Sequence, residues 1–446
     1  MQVSADDAIM QHSVKQERCV QMLSKRAQKA VQGEFLETYF IKVSANSYDS
    51  DTNPQGYINL GTAENKLCED LWLNKIAEVS GSANFVSQDF LYYYACHGLD
   101  RVRKTFSQFI EERFKSKVKI EEEKLVLMDG VTAILNALAF TLADVGDVFL
   151  CPTPAYTRLK YDMLDIGGVD IYEVPMFDRE SSDDPCKMRT DLLGSYLQRA
   201  KKDGLTVRGV IITNPHNPTG KVYTKQELAE VMEFCKREDL HVIFDEIYAL
   251  STQGQDCFTS VLSMPIPDPD KTHFIWGLSK DFGLSGFRCG VVYSHDVRVI
   301  NHLKKMAMFC SIPAPTQMLI NGILSDTEWL NNTYFPTYYN RAKETYKLVK
   351  DVLDELNIPT AYSCRNVIFF WMDLSQERTS EEEMKLFNMF MEAGLFVYPG
   401  KEMFCQVPGW FRLAFTLPKQ YVQEGLQRFR AVLIKLQQRE SYMCPK

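Results

Sequence analysis

Gly277-Leu278-Ser279-Lys280-Asp281-Phe282-Gly283-Leu284-Ser285-Gly286-Phe287-Arg288 places one lysine on a turn of small residues, eight positions before an arginine. A lysine that forms a Schiff base must be desolvated enough to lose its proton, and small neighbours let other groups approach it closely. Taken alone, the motif reads equally well as an exposed Ser-Lys turn. Two stretches upstream decide the fold: Ile211-Ile212-Thr213-Asn214-Pro215-His216-Asn217-Pro218-Thr219-Gly220, and His241-Val242-Ile243-Phe244-Asp245-Glu246-Ile247-Tyr248. Each opens as an apolar run, the first leading into an Asn-Pro turn and the second into an acid, and both read as short buried strands of a parallel sheet. In an open α/β sheet ligands collect beyond the carboxyl ends of the strands. Asn217, Asp245 and Lys280 should therefore converge on one crevice.

That layout is the one a lysine bound to pyridoxal phosphate requires. Asp245 would pair with the protonated ring nitrogen and make the ring an electron sink, while Asn217 and Tyr248 would share the phenolic oxygen. Each residue also has an ordinary reading: Asp245 as a helix N-cap, Asn217 as a turn residue, Tyr248 as a core aromatic. Jointly, in this order and all at strand ends, the ordinary readings give way to the binding site.

Two further segments carry a family resemblance. Asn59-Leu60-Gly61-Thr62-Ala63-Glu64-Asn65-Lys66-Leu67 and Glu402-Met403-Phe404-Cys405-Gln406-Val407-Pro408-Gly409-Trp410-Phe411-Arg412 join the lysine motif. With them the chain, from about residue 45 to about 435, resembles the fold-type I pyridoxal-phosphate enzymes of the class I/II aminotransferase superfamily. Within that superfamily it is most similar to the 1-aminocyclopropane-1-carboxylate synthases, in wording closest to their animal synthase-like branch. The resemblance implies a phosphate cradle at Val131 and Thr132, in Asp129-Gly130-Val131-Thr132-Ala133, with Ser279 and Arg288 as further donors. A helix N-terminus suits phosphate through its unpaired amides, and arginine through its permanent charge and forked donors. The same segment also reads as a plain turn. Tyr156 matches the aromatic that stacks on the pyridine ring, and otherwise reads as a core tyrosine after a proline-rich bend.

Arg412 matches the arginine that takes a substrate α-carboxylate, where a bidentate pair is the reason for arginine. Lys280, once freed by the substrate amine, is the natural base for the Cα proton. Glu64 matches the carboxylate that faces the sulfonium of S-adenosylmethionine in the synthases; a solvent-exposed glutamate is the plain alternative. Two positions depart from the family pattern. Cys96 stands before His97-Gly98-Leu99 where the plant synthases have the tyrosine that reaches the neighbouring subunit's cofactor, and Gly277 stands where a serine precedes the lysine by three. Tyr92, Tyr93 and Tyr94 are candidate replacements for the lost phenol. The implied activity is synthase-like lyase chemistry on S-adenosylmethionine. The alternatives are an aminotransferase or β-lyase on a conventional amino acid, or a catalytically idle cofactor-binding protein. The resemblance also implies a homodimer with shared active sites.

Composition agrees with a soluble enzyme. The chain has 446 residues, 45% hydrophobic and 24% charged, enough for a large and a small domain with substantial cores. A net charge of -8 argues against nucleic acid or an anionic membrane as a partner. The twelve cysteines are scattered without a Cys-x-x-Cys pair, so free thiols and no metal site are expected. No run has the length of a membrane span or the form of a signal peptide, and a cytoplasmic location follows.

Along the chain, residues 13 to 32 predict an arm helix with a Val20, Leu23, Ala27, Val31 stripe. Strands are expected at Leu125 to Met128, Val148 to Cys151, Val210 to Thr213, His241 to Phe244, Thr272 to Trp276 and Gly290 to Tyr293, alternating with helices. Ser182-Asp183-Asp184-Pro185 and Pro265-Ile266-Pro267-Asp268-Pro269-Asp270 read as irregular. A long helix over Tyr334 to Leu356 leads to strands near Val367 to Asp373 and Phe411 to Phe415. The expected division is an N-terminal arm and part of the small domain over 1 to 84, a large cofactor-binding domain over 85 to 330, and a smaller α+β domain completed by 331 to 446.

Overall fold

The computed structural model describes residues 23–30, 34–83, 85–181, 184–251, 258–362, 367–374 and 379–443. Most of the expected arm helix therefore lies outside the described residues; within them a short helix runs over Lys25–Ala30. Ser182 and Asp183 of the expected surface loop lie outside as well.

Strands are numbered in chain order. The first, β1 (Ile58–Asn59), is followed by β2 (Leu125–Met128), β3 (Val148–Thr153), β4 (Asp170–Pro175), β5 (Val207–Thr213), β6 (His241–Asp245), β7 (Thr272–Gly277) and β8 (Gly290–Ser294). The seven strands β2 to β8 form one sheet in the order β2-β8-β7-β6-β5-β3-β4. Neighbours are parallel from β4 through β7, whereas β8 runs antiparallel to both β7 and β2. Every residue of β2, β3, β7 and β8 is buried, which is why these segments read as unbroken apolar runs. One strand of this sheet escaped the sequence reading. In β4, Asp-Ile-Tyr-Glu-Val-Pro buries only Ile171 and Val174 and lies at the sheet edge, where a terminal proline is tolerated.

Two apolar cores lie on the faces of this sheet. Alternate residues along each strand go to opposite sides: Leu125 and Leu127 join one core, Val126 and Met128 the other. Helix Val131–Leu142 covers the second face and helix Asp100–Arg113 the first.

The remaining strands are β9 (Phe369–Asp373), β10 (Leu395–Phe396), β11 (Tyr398–Pro399) and β12 (Trp410–Ala414). They make a small antiparallel sheet in the order β11-β12-β9 and a pair in which β1 lies parallel to β10. The β1 pairing brings the chain before residue 60 against the chain after residue 394. The long helix spans Phe335–Glu355 and follows a five-residue π-helical stretch, Leu330–Tyr334. Within the irregular proline-rich segment, Pro269–Lys271 tightens into one 3₁₀ turn. Among the described residues no helix is long and apolar enough to cross a membrane.

Candidate functional site

Because β5, β6 and β7 are parallel and in register, Thr213 faces Asp245 and Asp245 faces Ile275, so all three strands end on one side. The chain leaves β7 through Gly277 into a single helical turn, Leu278–Asp281, which lifts Lys280 above the strand ends. A cavity of about 190 Å³ lies there. Its walls include Val131, Thr132, Tyr156, Asn217, Asp245, Tyr248, Ser279, Lys280, Arg288 and Arg412. The structure thus brings ten of the eleven expected site residues to one cavity. Glu64 lies off its wall.

Lys280 donates from Nζ to the Ala63 carbonyl at 2.7 Å. Burial, reinforced by the Arg412 guanidinium, brings its amine down to about 8, against a smaller pull upward from Glu64. Asp245 is buried at the end of β6, where burial pushes its carboxyl up to about 7 while an N–H from Ile247 at 3.2 Å steadies the charged form. A cationic group placed against it would return it to the ionised state. Both phenols, Tyr156 and Tyr248, are held protonated by burial.

Opposite the sheet, Arg412 comes from β12 and is 1% exposed. Its guanidinium lies between the rings of Phe369 and Tyr398, at 5.2 and 5.1 Å from their centroids. One terminal nitrogen donates to Asn217 Oδ1 at 2.7 Å and the other to the Gly61 carbonyl at 2.7 Å. Its Nε has no hydrogen-bond partner, and among the described residues no carboxylate pairs with it. Buried charges are ordinarily paired, because desolvating a lone cation costs several kcal/mol. An arginine held this way is ready for an incoming anion.

The other end of the cavity is a helix N-terminus. Gly130 has φ 104° and caps helix Val131–Leu142, whose first residues Val131 and Thr132 turn toward the cavity. A Cβ at Gly130 would sit 2.6 Å from an Arg288 terminal nitrogen, so the glycine makes room for the guanidinium. Arg288 itself adopts φ 47° and donates to the Asp129 carbonyl at 3.2 Å and the Ser285 carbonyl at 3.1 Å. Free amides, an arginine and the hydroxyls of Ser279 and Ser285 form a donor set that fits a phosphate. With Asp245 and Lys280 on the same cavity, the donor set fits pyridoxal phosphate as a whole.

Four features were out of reach of the sequence reading or differ from it. Leu36, from helix Phe35–Ala45, lines the cavity, and nothing in its neighbourhood marks it. Asp162 also lines it, bonded to Arg158 at 2.8 Å and to the Thr132 hydroxyl, with burial pushing its carboxyl up to about 6. The Glu64 carboxylate is turned to Lys66 at 2.9 Å and remains 28% exposed, rather than facing the cavity. Finally, a Cβ at Gly277 would stand 2.8 Å from the Cys289 carbonyl and 3.2 Å from Val131 Cγ2, so no side chain fits there in this backbone. Of the three tyrosines, Tyr94 is committed to the Ile312 carbonyl at 2.8 Å, whereas Tyr92 and Tyr93 are exposed.

The model of the aminotransferase class I and II family matches residues 41–429. The chain belongs to that family. Family members typically bind pyridoxal phosphate, and the fold is the fold-type I arrangement of that superfamily. The chain is 34% identical over 403 residues to a mouse protein described as "Probable inactive 1-aminocyclopropane-1-carboxylate synthase-like protein 2", covering 89% of this chain and 69% of that one. It is also 34% identical over 396 residues to a bovine synthase-like protein 1 (87% and 78%), and over 412 residues to 1-aminocyclopropane-1-carboxylate synthase 6 of rice (88% and 75%). Among solved structures, an archaeal alanine:glyoxylate aminotransferase superposes with a TM-score of 0.76 at 20% identity, covering 92% of this chain and 97% of that one. The aspartate aminotransferase of Thermotoga maritima gives 0.71 at 20%, covering 92% and 100%.

Proposed function

We propose that this chain binds pyridoxal phosphate on Lys280 and acts on an α-amino acid whose carboxylate is taken by Arg412. The observation that carries the reading is the Arg412 guanidinium: fully buried, without an acid partner among the described residues, and on the same cavity as a lysine whose amine is brought down to about 8. When bound, the cofactor supplies an electron sink for negative charge developed at the substrate Cα. Val131, Thr132, Ser279 and Arg288 would hold its phosphate, Asp245 would meet its ring nitrogen, Asn217 and Tyr248 would meet its phenolic oxygen, and Tyr156 would lie along the ring. Arg412 fixes the carboxylate and thereby the direction of the Cα–H bond. Lys280, whose lowered amine is roughly 10% neutral at pH 7, removes that proton in its neutral form. The large unit, residues 85 to 330, carries most of these groups, and the smaller unit, 1 to 84 with 331 to 446, supplies Arg412 and Glu64.

Within this reading S-adenosylmethionine is the substrate favoured by the similarity to the synthases, and the Glu64 carboxylate, whose charge reaches Lys280, is the group that would meet its sulfonium once it swings from Lys66 toward the cavity. Ile166, Met308 and Phe309 are exposed, and Ile166 and Phe309 line a groove that also contains Thr132 and Arg288. An apolar rim beside a phosphate site supports a second copy of the chain completing the site, as a homodimer. The test incubates purified protein with pyridoxal phosphate and either S-adenosylmethionine or a panel of amino acids, with products identified by mass spectrometry. Turnover lost in both Lys280→Ala and Arg412→Lys is expected. A product formed equally by Arg412→Lys would overturn the carboxylate assignment, and product only from conventional amino acids would reassign the substrate.

A further inference from the structure

On the far side of the turn that carries Lys280 lies a larger cavity, of about 560 Å³. It is framed by the end of helix Asp100–Arg113, by Ala249 and Leu250, by Ser260 and Ser263, and by the start of helix Phe335–Glu355. Its volume is in the range of small-molecule sites. None of its residues belongs to the cofactor cavity.

The group that gives this cavity its chemistry is Arg113. Its guanidinium lies 4.8 Å from the centroid of Phe335 and 5.8 Å from that of Phe109. One nitrogen donates to Asn331 Oδ1. Among the described residues no carboxylate pairs with it, although Glu112 is its chain neighbour. A guanidinium carries five N–H donors in a planar fork, so most of its capacity for an oxyanion is uncommitted. Lys115, two residues on and in the left-handed region at φ 51°, adds a second cation to the same wall. An apolar wall completes the site, where Phe335 and Tyr339 lie with centroids 5.8 Å apart and planes 25° from parallel. Asn331 sits in the π-helical stretch Leu330–Tyr334, a wide turn of the kind found at functional sites.

We infer that this cavity is a second small-molecule site, which takes an aromatic oxyanion: a flat ring bearing a phosphate or carboxylate, gripped by Arg113 and Lys115 with the ring against Phe335 and Tyr339. Its occupant would touch Leu250, which is bonded to the Lys280 turn, and Tyr339, which is bonded to Leu250. The N–H of Leu250 donates to Asp281 Oδ2 at 3.0 Å, Tyr339 donates to the Leu250 carbonyl at 3.0 Å, and Tyr334 donates to the Asp281 carbonyl at 2.7 Å.

The test is calorimetric titration of the cofactor-loaded full chain with phenyl phosphate, with inorganic phosphate and phenol as separate probes. Saturable binding of one phenyl phosphate per chain is expected, tighter than either probe alone. Arg113→Ala should weaken it by about tenfold or more, the loss for a charge-assisted hydrogen bond. Asn331→Asp is the variant that guards against misfolding, because it gives Arg113 an internal carboxylate and should block the ligand while leaving thermal stability unchanged. Arg412→Lys should bind as tightly as the unaltered chain, since it alters only the cofactor cavity. The inference is overturned by an absence of saturable binding at millimolar phenyl phosphate, by equal binding in Asn331→Asp, or by loss of binding in Arg412→Lys. The calorimetric readout does not depend on turnover, so failure here leaves the proposed activity standing.

Discussion

The amine of Lys280 offers a direct measurement of the site's electrostatics in the cofactor-free protein. An unperturbed lysine near 10.4 is about 0.04% neutral at pH 7, whereas one at about 8 is roughly 10% neutral, an advantage of about 200-fold. Competitive labelling with acetic anhydride, followed by mass spectrometry of the Lys280 peptide across pH, reads that fraction directly. A midpoint near 8 is expected. Burial is the main cause and Arg412 the next, so Arg412→Met should raise the midpoint, with labelling at pH 7 slowed about tenfold for each pH unit gained. Glu64 acts with the opposite sign, and Glu64→Gln should lower the midpoint. The same lowering has a stability signature. Between about pH 8 and the ordinary lysine value the unfolded chain holds a proton that the folded chain lacks, so stability of the cofactor-free protein rises with pH across that window. A midpoint at the ordinary lysine value, or a fall in it on Arg412→Met, would refute the reasoning.

Two further outcomes follow from the turn around Lys280. Asp281 is fully buried, and its carboxylate accepts from Trp276 Nε1 at 2.8 Å, Ser251 Oγ at 2.7 Å and the Leu250 N–H at 3.0 Å. Asp281→Ala strands all three donors and should cost at least about 3 kcal/mol in chemical denaturation, while Asp281→Asn, which can accept from two and donate to Ser251, should stay within about 1 kcal/mol. Burial also pushes that carboxyl up to about 7, so it contributes a loss of stability as pH rises from its ordinary value of 3.8 toward 7, and the asparagine variant should lose less over that range, keeping only the share of other raised carboxyls such as Asp245 and Asp162. At Gly277, both Ser and Ala should lower stability by about 1–3 kcal/mol through overpacking against Cys289 and Val131. Equal melting temperatures for Gly277→Ser and the unaltered chain would show that the backbone gives way.

The sheet was legible because four of its strands, β2, β3, β7 and β8, are buried at every residue and are therefore mostly apolar, with β2, β7 and β8 nearly coinciding with the expected runs. The edge strand β4 was lost because four of its six residues are only partly buried, and the reversal of β8 leaves no mark in a five-residue buried segment. Within the site, residues on strand ends and the lysine turn were readable from local chemistry. Contacts made by distant segments were not: Asn217 and Arg412 are 195 residues apart, and their bond depends on how the small sheet sits over the large one. Leu36 enters the cavity from a helix whose sequence says only that it is helical. Glu64 shows the converse, a motif residue whose side chain is drawn away by a neighbour two positions on.

The Ala63 carbonyl has a second significance. The segment around it is bonded at both ends of the cavity: Gly61 accepts from Arg412, Ala63 accepts from Lys280, and the Asn65 side chain donates to the Lys280 carbonyl at 3.2 Å. A covalent adduct on Lys280 Nζ takes away the donor that Ala63 holds, and an anion on Arg412 competes for the donor that Gly61 holds. Loading and substrate capture would thus loosen one short stretch of chain from opposite ends, making residues 61 to 65 a mechanical indicator of occupancy that amide hydrogen exchange would register before any bond in the substrate is broken.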